Sequence, residues 1–586
     1  MSEIVLKGIP AAPGIAIGPA YIFGHEDLNV EKNPITEGQV PLEISRFEDA
    51  LIQTRQEIIA LQKKIAQEMG VEHGEVFDAH LLVLEDRMLI EEVISRVKKE
   101  RVAVDYIFSE VLKHYASVFA RIEDEYLKER ISDINDVGRR ILRNLLGRKR
   151  TGLSDLTEEA VVVAHDLSPS DTASIHKSKV MAFVTDIGGK TSHTAIMAKS
   201  LEIPAVVGLE SGTEQIKGGD PLIVDGSSGV VIVHPDPQTL QRYQAQEEKN
   251  RGISQILTGL KDLPAETKDG VHLTLSANIE FPEEVASVLQ HGADGVGLYR
   301  TEYFYMNRKD LPSEDEQYEA YKHLADSFRE RPVVIRTLDL GGDKFVSSYQ
   351  FPKEMSPFMG WRAIRFCLAR PDIFMTQLRA ILRASSHGNL KIMFPMISGI
   401  EELRQAKALV ENAKEELRGK NVAFNAQIEV GAMIEVPSAA LTCDILAREA
   451  AFFSIGTNDL IQYALAVDRT NEKIAYLYEP THPAVLRLIQ KIIELGHAAG
   501  IRVGMCGEMS SEPEIALLLL GLGLDEFSMP SASILEIKNV LRATTREEAR
   551  RIAIEALGLT TGAEVDDFLK KKLREILPEL YSAPGL

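Results

Sequence analysis

The stretch Lys391-Ile392-Met393-Phe394-Pro395-Met396, followed by a helical segment from Gly399 to Arg418, shows the unit that builds the second half of this chain. The first stretch is almost wholly apolar, which is typical of a buried strand. After Gly399, apolar side chains recur at the spacing of an amphipathic helix. A buried strand and an amphipathic helix in alternation predict an α/β fold with a parallel sheet.

The same unit recurs beyond about residue 262, where helical segments separate most of the apolar runs. The other strand candidates are Leu273–Asn278, Gly295–Arg300, Val333–Arg336, Gly431–Glu435, Phe452–Gly456, Ile501–Cys506 and Glu526–Met529. Eight units in roughly 300 residues predict a (β/α)8 TIM-type barrel. The alternative that the pattern leaves open is an open, doubly wound sheet.

Polar residues collect where these strands end, and a (β/α)8 barrel carries its active site at that edge. They are Asn278, Arg300–Glu302, Arg336 with Asp339 and Lys344, Glu435, Asn458 with Asp459, and Cys506 with Glu508. Arginine and lysine suit a substrate that carries phosphate and carboxylate groups. Glu435 and Asp459 follow neighbouring strands, and two carboxylates suit Mg²⁺. One polar strand end is usually only the start of a loop, but the whole set predicts a site.

A second informative stretch, Gly188–Lys199, places His193 among glycines and hydroxyl-bearing residues. It follows the apolar run Val180–Val184, which predicts a buried strand, and it precedes a predicted helix with Thr191 or Ser192 as its N-cap. A helix N-terminus favours an anion. A neutral ring nitrogen of His193 could therefore accept a phosphoryl group. A capped loop histidine without chemistry is the alternative.

The first half of the chain changes character twice. Short strand signals come first, helical spacing runs from about Pro41 to Leu146, and strand signals return between Ala160 and Val233. The helical bundle is therefore predicted to be inserted into a strand-rich domain. The predicted division is 1–30 and 148–234 for the strand-rich domain, 31–147 for the bundle, 235–261 for a polar helical linker and 262–586 for the barrel.

Composition limits the partners and the compartment. The formal net charge is −21, which argues against non-specific nucleic-acid binding. The three cysteines are far apart in the sequence and odd in number, which favours a reducing compartment. We find no signal-peptide pattern and no apolar run of about 18 residues. We expect a soluble cytoplasmic protein that binds neither nucleic acid nor membranes.

Several segments resemble motifs of the phosphoenolpyruvate-utilising enzymes. Phe452–Tyr463, followed by Val467–Arg469, resembles their signature, and the His193 segment resembles their phosphohistidine signature. More narrowly, four segments resemble Enzyme I of the bacterial sugar phosphotransferase system: Gly297–Glu302, Arg336–Lys344, Gly360–Arg365 and, in the bundle, Tyr126–Arg130. The resemblance spans nearly the whole chain and keeps the same domain order.

The resemblance implies a role for each matching residue. His193 would accept the phosphoryl group of phosphoenolpyruvate and pass it to the carrier protein HPr, as the first step of sugar uptake. Cys506 would protonate the enolate as pyruvate forms. The residues implied to hold the substrate are Arg300, Arg336, Asn458, Asp459 and Arg469, with Arg362 and Lys344 as further contacts. Glu435 and Asp459 would bind Mg²⁺. The family also implies a homodimer formed through the barrel.

The sequence departs from the family pattern at a few positions. Lys190 and Lys199 stand where arginine is common, Ala451 where an acidic residue is usual, and Thr470 where glycine is usual. These changes leave the expected reaction intact but put the loop geometry in doubt.

The predicted partner surface lies in the bundle, where Phe77–Asp86 resembles the helix that docks HPr. Arg87 and Met88 follow where acidic residues are common, and His80 is expected to be a docking or surface residue.

Two other functions compete with this one. Relatives such as pyruvate phosphate dikinase or phosphoenolpyruvate synthase need a nucleotide-binding domain, and this chain has no P-loop-like Gly-Lys-Ser/Thr motif. A catalytically idle regulatory paralogue is disfavoured because His193, Cys506 and the carboxylates are intact.

Overall fold

The computed structural model describes residues 3–23, 30, 32–68, 81, 84, 87–119, 137–147, 153, 156, 158–165, 167, 179–189, 193–305, 310–340, 356–469, 471 and 473–581. The chain forms two compact units, Met1–Asn250 and Arg251–Leu586. The first unit is built on an eight-stranded sheet and the second on a closed barrel of eight strands.

The sheet of the first unit has the strand order β1-β8-β7-β3-β4-β5-β6-β2. Its strands are β1 (Ile4–Lys7), β2 (Ile9–Ala12), β3 (Ile15–Phe23), β4 (Ala160–Ala164), β5 (Val180–Thr185), β6 (Ala205–Val207), β7 (Pro221–Asp225) and β8 (Val230–Val233). Strands β3 to β6 run parallel, and the remaining pairs are antiparallel.

Strand β4 explains why the central strands of this sheet are continuous apolar runs in the sequence. Val162 and Ala164 pack into one apolar cluster, whereas Val161 and Val163 pack into another. Both faces of the strand are therefore covered, as in other parallel sheets. The predicted strand Val180–Val184 is confirmed to within one residue at each end, and so is the return of strands between Ala160 and Val233.

The helical segment lies between β3 and β4 in the sequence. Its described helices are Val40–Glu68, Arg87–Glu100 and Val104–Phe119, together with helical residues 137–145. Their apolar faces form one buried core that includes Phe47, Val93, Phe108 and Ile141. Because β3 pairs with β4, the helices interrupt a single sheet. This arrangement confirms the predicted insertion. The motif Tyr126–Arg130, His80 and most of Phe77–Asp86 lie outside the described residues.

Three more helices belong to the first unit or reach its end: His193–Leu201, Gly212–Gln215 and Pro237–Thr258. The last confirms that residues 235–261 are largely helical, as predicted. The predicted caps Thr191 and Ser192, like Lys190, lie outside the described residues.

The barrel confirms the predicted fold class and excludes the open-sheet alternative. Its strands are β9 (Thr274–Ile279), β10 (Gly295–Tyr299), β11 (Val333–Arg336), β12 (Leu390–Phe394), β13 (Val430–Ile434), β14 (Phe452–Ile455), β15 (Arg502–Met505) and β16 (Glu526–Met529). Every neighbouring pair is parallel, and β16 closes the barrel by pairing with β9, with Phe527 opposite Leu275. The predicted strand bounds agree to within two residues.

The α-helices of the second unit cover the outside of the barrel. They are Val285–Gln290, Glu314–Phe328, Ala363–Ala369, Pro371–Ala384, Ile400–Gly419, Pro437–Leu441, Cys443–Leu446, Thr457–Leu465, Pro483–Ala498, Pro513–Leu522, Ile534–Arg542, Arg546–Leu557, Gly562–Ile576 and Pro578–Tyr581. Alternate strand residues such as Val333 and Ile335 pack outward into the large core shared with these helices.

A smaller apolar cluster lies inside the barrel. It joins Leu298, Val334, Met393, Met433 and Cys506, which come from or directly follow five different strands. This layer forms the floor beneath the carboxyl ends of the strands. Among the described helices, none is both long enough and apolar enough to cross a membrane.

Candidate active site

The carboxyl ends of the barrel strands bring most of the predicted site residues to one edge. Arg300, Glu435 and Cys506 directly follow β10, β13 and β15, and Arg336 ends β11. Asn458 and Asp459 lie in the first turn of helix Thr457–Leu465, after β14. Arg362 precedes helix Ala363–Ala369, and Arg469 lies beyond the helix that carries Asp459. Lys344 lies outside the described residues. His193 begins its helix in the first unit.

A chain of ion pairs crosses this edge. The Arg336 guanidinium contacts Glu302 and also Asp339, the latter at 2.8 Å. Arg362 contacts Asp339 at 2.7 Å and Asp459 at 3.2 Å. Burial opposes the charge on Asp339, but the two arginines outweigh it and lower its pKa. Asp339 therefore holds both guanidinium groups in fixed positions.

Glu435 and Asp459 form a buried acidic pair next to these arginines. Glu435 is 2% exposed, and its Oε1 accepts a hydrogen bond from the Met396 N–H at 2.6 Å. Burial, together with the charges of Asp459 and Asp339, raises the pKa of Glu435 to about 8. Burial also raises the pKa of Asp459, although Arg362 opposes the shift. The two carboxylates would be stabilised in their charged form by a cation.

Arg300 and Arg469 lie at the outer border of the site, each with 37% of its side chain exposed. Arg300 contacts Glu280, and Arg469 lies 3.8 Å from Glu508. Among the described residues, the Nε atoms of Arg300 and Arg336 are buried without a hydrogen-bond partner. These are donors that an anionic ligand could satisfy.

Cys506 belongs to the apolar floor and lies near the charges of Arg336 and Arg300. Its carbonyl accepts a hydrogen bond from Asn278 Nδ2 at 2.9 Å, which fixes the end of β15. Burial raises the pKa of the thiol to about 11, although Ser454 and Arg336 oppose the shift. The thiol is therefore protonated at neutral pH and can donate a proton.

The ends of β14 and β15 are held together closely. Asn458 Nδ2 donates to Glu508 Oε1 at 3.0 Å, and the Glu508 N–H donates to Asn458 Oδ1 at 3.2 Å. Gly507 lies against Thr457, and a Cβ atom at position 507 would come within 1.7 Å of the Thr457 Oγ1. Only glycine therefore fits between Cys506 and Glu508 in this arrangement.

Several residues of this edge were not predicted from the sequence. Glu280 pairs with Arg300, and Gln462 Oε1 accepts a hydrogen bond from the Arg469 N–H at 3.3 Å. Gln377 is fully buried behind the site. Gln377 is a polar residue on an otherwise apolar helix face, and this pattern in the sequence could have indicated that it is buried and functionally relevant.

The barrel edge offers two neighbouring carboxylates, Glu435 and Asp459, as possible ligands for a metal ion. Within the described part of the chain, no group of three or more His, Cys, Asp or Glu side chains is arranged to hold a metal ion. Glu435 and Asp459 remain a pair, and Mg²⁺ commonly binds one or two carboxylates and completes its shell with water and substrate oxygens.

Family models match three parts of the chain. Residues 7–130 match the N-terminal domain of PEP-utilising enzymes, residues 156–229 their mobile domain and residues 255–546 their PEP-binding domain. Proteins named phosphoenolpyruvate-protein phosphotransferase are similar over nearly the full length. The protein from Bacillus sp. (strain S) is 48% identical and covers 97% of this chain and 98% of its own. That from Bacillus subtilis (strain 168) is 46% identical, covering 97% of this chain and 100% of its own.

A solved NMR structure of an Enzyme I protein is 50% identical, with a TM-score of 0.34. The matched region covers 42% of the present chain and 99% of the chain in the solved structure.

Proposed function

Because this chain belongs to the phosphoenolpyruvate-protein phosphotransferase (Enzyme I) family of PEP-utilising enzymes, we propose that His193 takes the phosphoryl group of phosphoenolpyruvate and passes it to HPr. The chain is thus an enzyme of phosphoenolpyruvate-dependent phosphotransfer through a mobile histidine domain. HPr as acceptor, sugar uptake as the process served and the cytoplasm as location are part of the proposal.

The observation that supports it most is the composition of the barrel edge. Two arginine Nε donors without partners lie beside a buried carboxylate pair and a protonated thiol. We propose that Arg300, Arg336 and Arg469 hold the phosphate and carboxylate of the substrate, with Asn458, Asp459 and Arg362 beside them. The role of Lys344 rests on the resemblance alone.

The proposed reaction proceeds in two steps at this edge. A neutral ring nitrogen of His193 forms a bond to phosphorus as the bond to the enol oxygen breaks. The arginines spread the negative charge on the transferring group. The enolate that leaves takes the Cys506 proton at its terminal carbon, which gives pyruvate, and the thiolate regains a proton from solvent.

Charge balance supports a role for Mg²⁺. Four arginines at the edge, at positions 300, 336, 362 and 469, face five charged carboxylates, at positions 280, 302, 339, 459 and 508, an excess of one negative charge even while Glu435 holds its proton. A trianionic substrate would meet an acidic surface. We propose that Glu435 and Asp459 hold Mg²⁺, which would offset this charge and that of the phosphoryl group.

We propose that the parts of the chain divide this work. Residues 1–30 and 148–234 form the phosphohistidine domain, 31–147 bind HPr, 235–261 link the units, and 262–586 bind phosphoenolpyruvate. In-line transfer needs the reacting atoms within about 3–3.5 Å of each other. His193 must meet two partners, so we expect its domain to change position between the two transfers, with helix Pro237–Thr258 as the hinge region.

A fragment experiment tests this division. We expect the full chain with Mg²⁺ and phosphoryl-labelled phosphoenolpyruvate to become labelled on His193 and to pass the label to HPr. A fragment of residues 1–250, which is one compact unit, should exchange label with phospho-HPr but stay unlabelled by phosphoenolpyruvate. Direct labelling of this fragment by phosphoenolpyruvate would show that the barrel is not needed. Failure of the full chain to release pyruvate would contradict the proposed function.

We also propose a homodimer formed through the barrel, which rests on the family resemblance. We expect light scattering at micromolar protein concentration, with phosphoenolpyruvate and Mg²⁺ present, to give twice the mass of one chain. A mass equal to one chain under these conditions would contradict the dimer.

A further inference from the structure

Gln377 is a polar residue in the middle of an apolar helix face. It lies in helix Pro371–Ala384, whose buried residues include Ile373, Phe374, Leu378 and Ile381. Its side chain is fully buried. A buried amide is stabilised only when its donors and acceptor are all paired, and it then fixes its partners in one arrangement.

Gln377 pairs every polar group of its side chain, and two of its three hydrogen bonds go to the loops that follow β10 and β11. Its Oε1 accepts the Leu338 N–H at 3.0 Å. Its Nε2 donates to Thr301 Oγ1 at 3.1 Å and to the Tyr321 hydroxyl at 3.3 Å. The amide therefore has one satisfied orientation, since exchanging its O and N atoms would place an NH₂ group against the Leu338 N–H.

Both contacted loops carry residues of the proposed substrate site. Thr301 lies between Arg300 and Glu302, and its hydroxyl donates to the Arg336 carbonyl at 3.0 Å. Leu338 precedes Asp339, the carboxylate that pairs with Arg336. One side chain thus connects the two segments that set the position of the Arg336 guanidinium.

We propose that Gln377 is a positioning residue for phosphoenolpyruvate turnover, acting through Thr301 and Leu338 on Arg336 and Asp339. This inference rests on the proposed function of the same site. Its hydrogen bonds within the described part of the chain go to Leu338, Thr301 and Tyr321 and to none of the arginines, so we expect it to affect how the arginines are aligned.

Gln317 provides a matched control. It is also a buried glutamine, 1% exposed, and it belongs to the same network because the Tyr321 hydroxyl donates to its Oε1 at 3.2 Å. Its other partners are the Tyr305 hydroxyl and the Pro312 carbonyl. Among the described residues, its hydrogen bonds reach neither Thr301 nor Leu338. A purely structural role of the network would therefore affect both glutamines alike.

The test compares Gln377→Leu with Gln317→Leu in the full chain, using steady-state pyruvate release with Mg²⁺, an excess of HPr and a series of phosphoenolpyruvate concentrations. We expect Gln377→Leu to lower kcat/KM by about 10–100-fold, with a rise in KM, because small misplacements of a site residue have effects of this size. Gln317→Leu should stay within about threefold of wild type, although both variants lower the thermal midpoint.

Thr301→Val keeps the inference testable if Gln377→Leu does not fold. Valine keeps the shape and removes the hydroxyl between Gln377 and the Arg336 carbonyl, so the same KM defect is expected. Adding Gln377→Leu to this variant should raise KM by less than it does in the wild type, since the connection through Thr301 is already lost and only the one to Leu338 remains. An active wild type with equal kinetics in Gln377→Leu and Gln317→Leu would overturn the inference. An inactive wild type would instead overturn the proposed function.

Discussion

Replacing Cys506 with alanine should slow pyruvate formation by about 10²–10⁴-fold, the range typical for loss of a general acid. The affinity for phosphoenolpyruvate should change by less than about threefold, because the thiol lies beneath the arginines and no proposed substrate contact is lost. Pyruvate release and calorimetric binding in the full chain measure the two quantities separately.

Cys443→Ala is the matched control for this prediction. Cys443 is also fully buried, and burial raises the pKa of its thiol to about 12. It lies in the helical layer, where its Sγ donates to the Ala439 carbonyl. Its loss should therefore leave pyruvate formation at the wild-type rate. Wild-type turnover in Cys506→Ala would show that the proton comes from another group.

Replacing Glu435 with glutamine should lower the rate by orders of magnitude and weaken its dependence on Mg²⁺, since one of the two carboxylates proposed to bind the ion is lost. The same change should stabilise the metal-free protein at alkaline pH. The folded protein holds the Glu435 proton up to about pH 8, whereas the unfolded chain releases it near pH 4.3.

The sign follows from proton binding. Between these pH values the folded state binds more protons than the unfolded state, so this group lowers the stability as pH rises through the window. Glutamine removes the ionisable group, and the gain should be absent near pH 4 and fully developed above about pH 8. The difference in thermal midpoint between wild type and Glu435→Gln, measured in buffer with a chelator at pH 5 and at pH 8.5, tests this prediction.

Glu512→Gln is the control that separates the effect on stability at alkaline pH from the effect on turnover. Burial, with the nearby charges of Glu514, Asp566 and Glu508, raises the pKa of Glu512 to about 7, and this residue precedes helix Pro513–Leu522. Its replacement should also raise the thermal midpoint at alkaline pH while leaving turnover unchanged. An unaltered Mg²⁺ titration of activity in Glu435→Gln would show that this carboxylate does not bind the ion.

The barrel could be predicted because each strand is a short apolar run that a polar residue ends. The helix Val40–Glu68 begins within one residue of Pro41, where the sequence predicts the start of the helical region. Pro41 lies in its first turn, where the missing N–H has no helical partner to lose. A proline near a helix start is therefore compatible with the boundary that the sequence predicts.

The site was predictable to the extent that it lies at strand ends. Arg300, Arg336, Glu435, Asp459 and Cys506 do lie at one edge of the barrel. Their partners were not predictable, because pairing depends on the tertiary arrangement of distant segments. Glu280 is 20 residues from Arg300, and Gln377 is 76 residues from Thr301. No local sequence pattern indicates that either pair of residues is in contact.

The parallel pairing of β3 with β4 has a consequence for how the protein is made. β3 ends at Phe23 and β4 begins at Ala160, so 136 residues must be synthesised before the centre of the sheet has its partner. At 5–20 residues per second the first strands wait about 7–27 s on the ribosome. The chain must also return to the opposite end of the sheet. A shortened protein without the helical bundle would therefore need a crossover of about a dozen residues or more in its place, because a tight turn cannot join parallel neighbours.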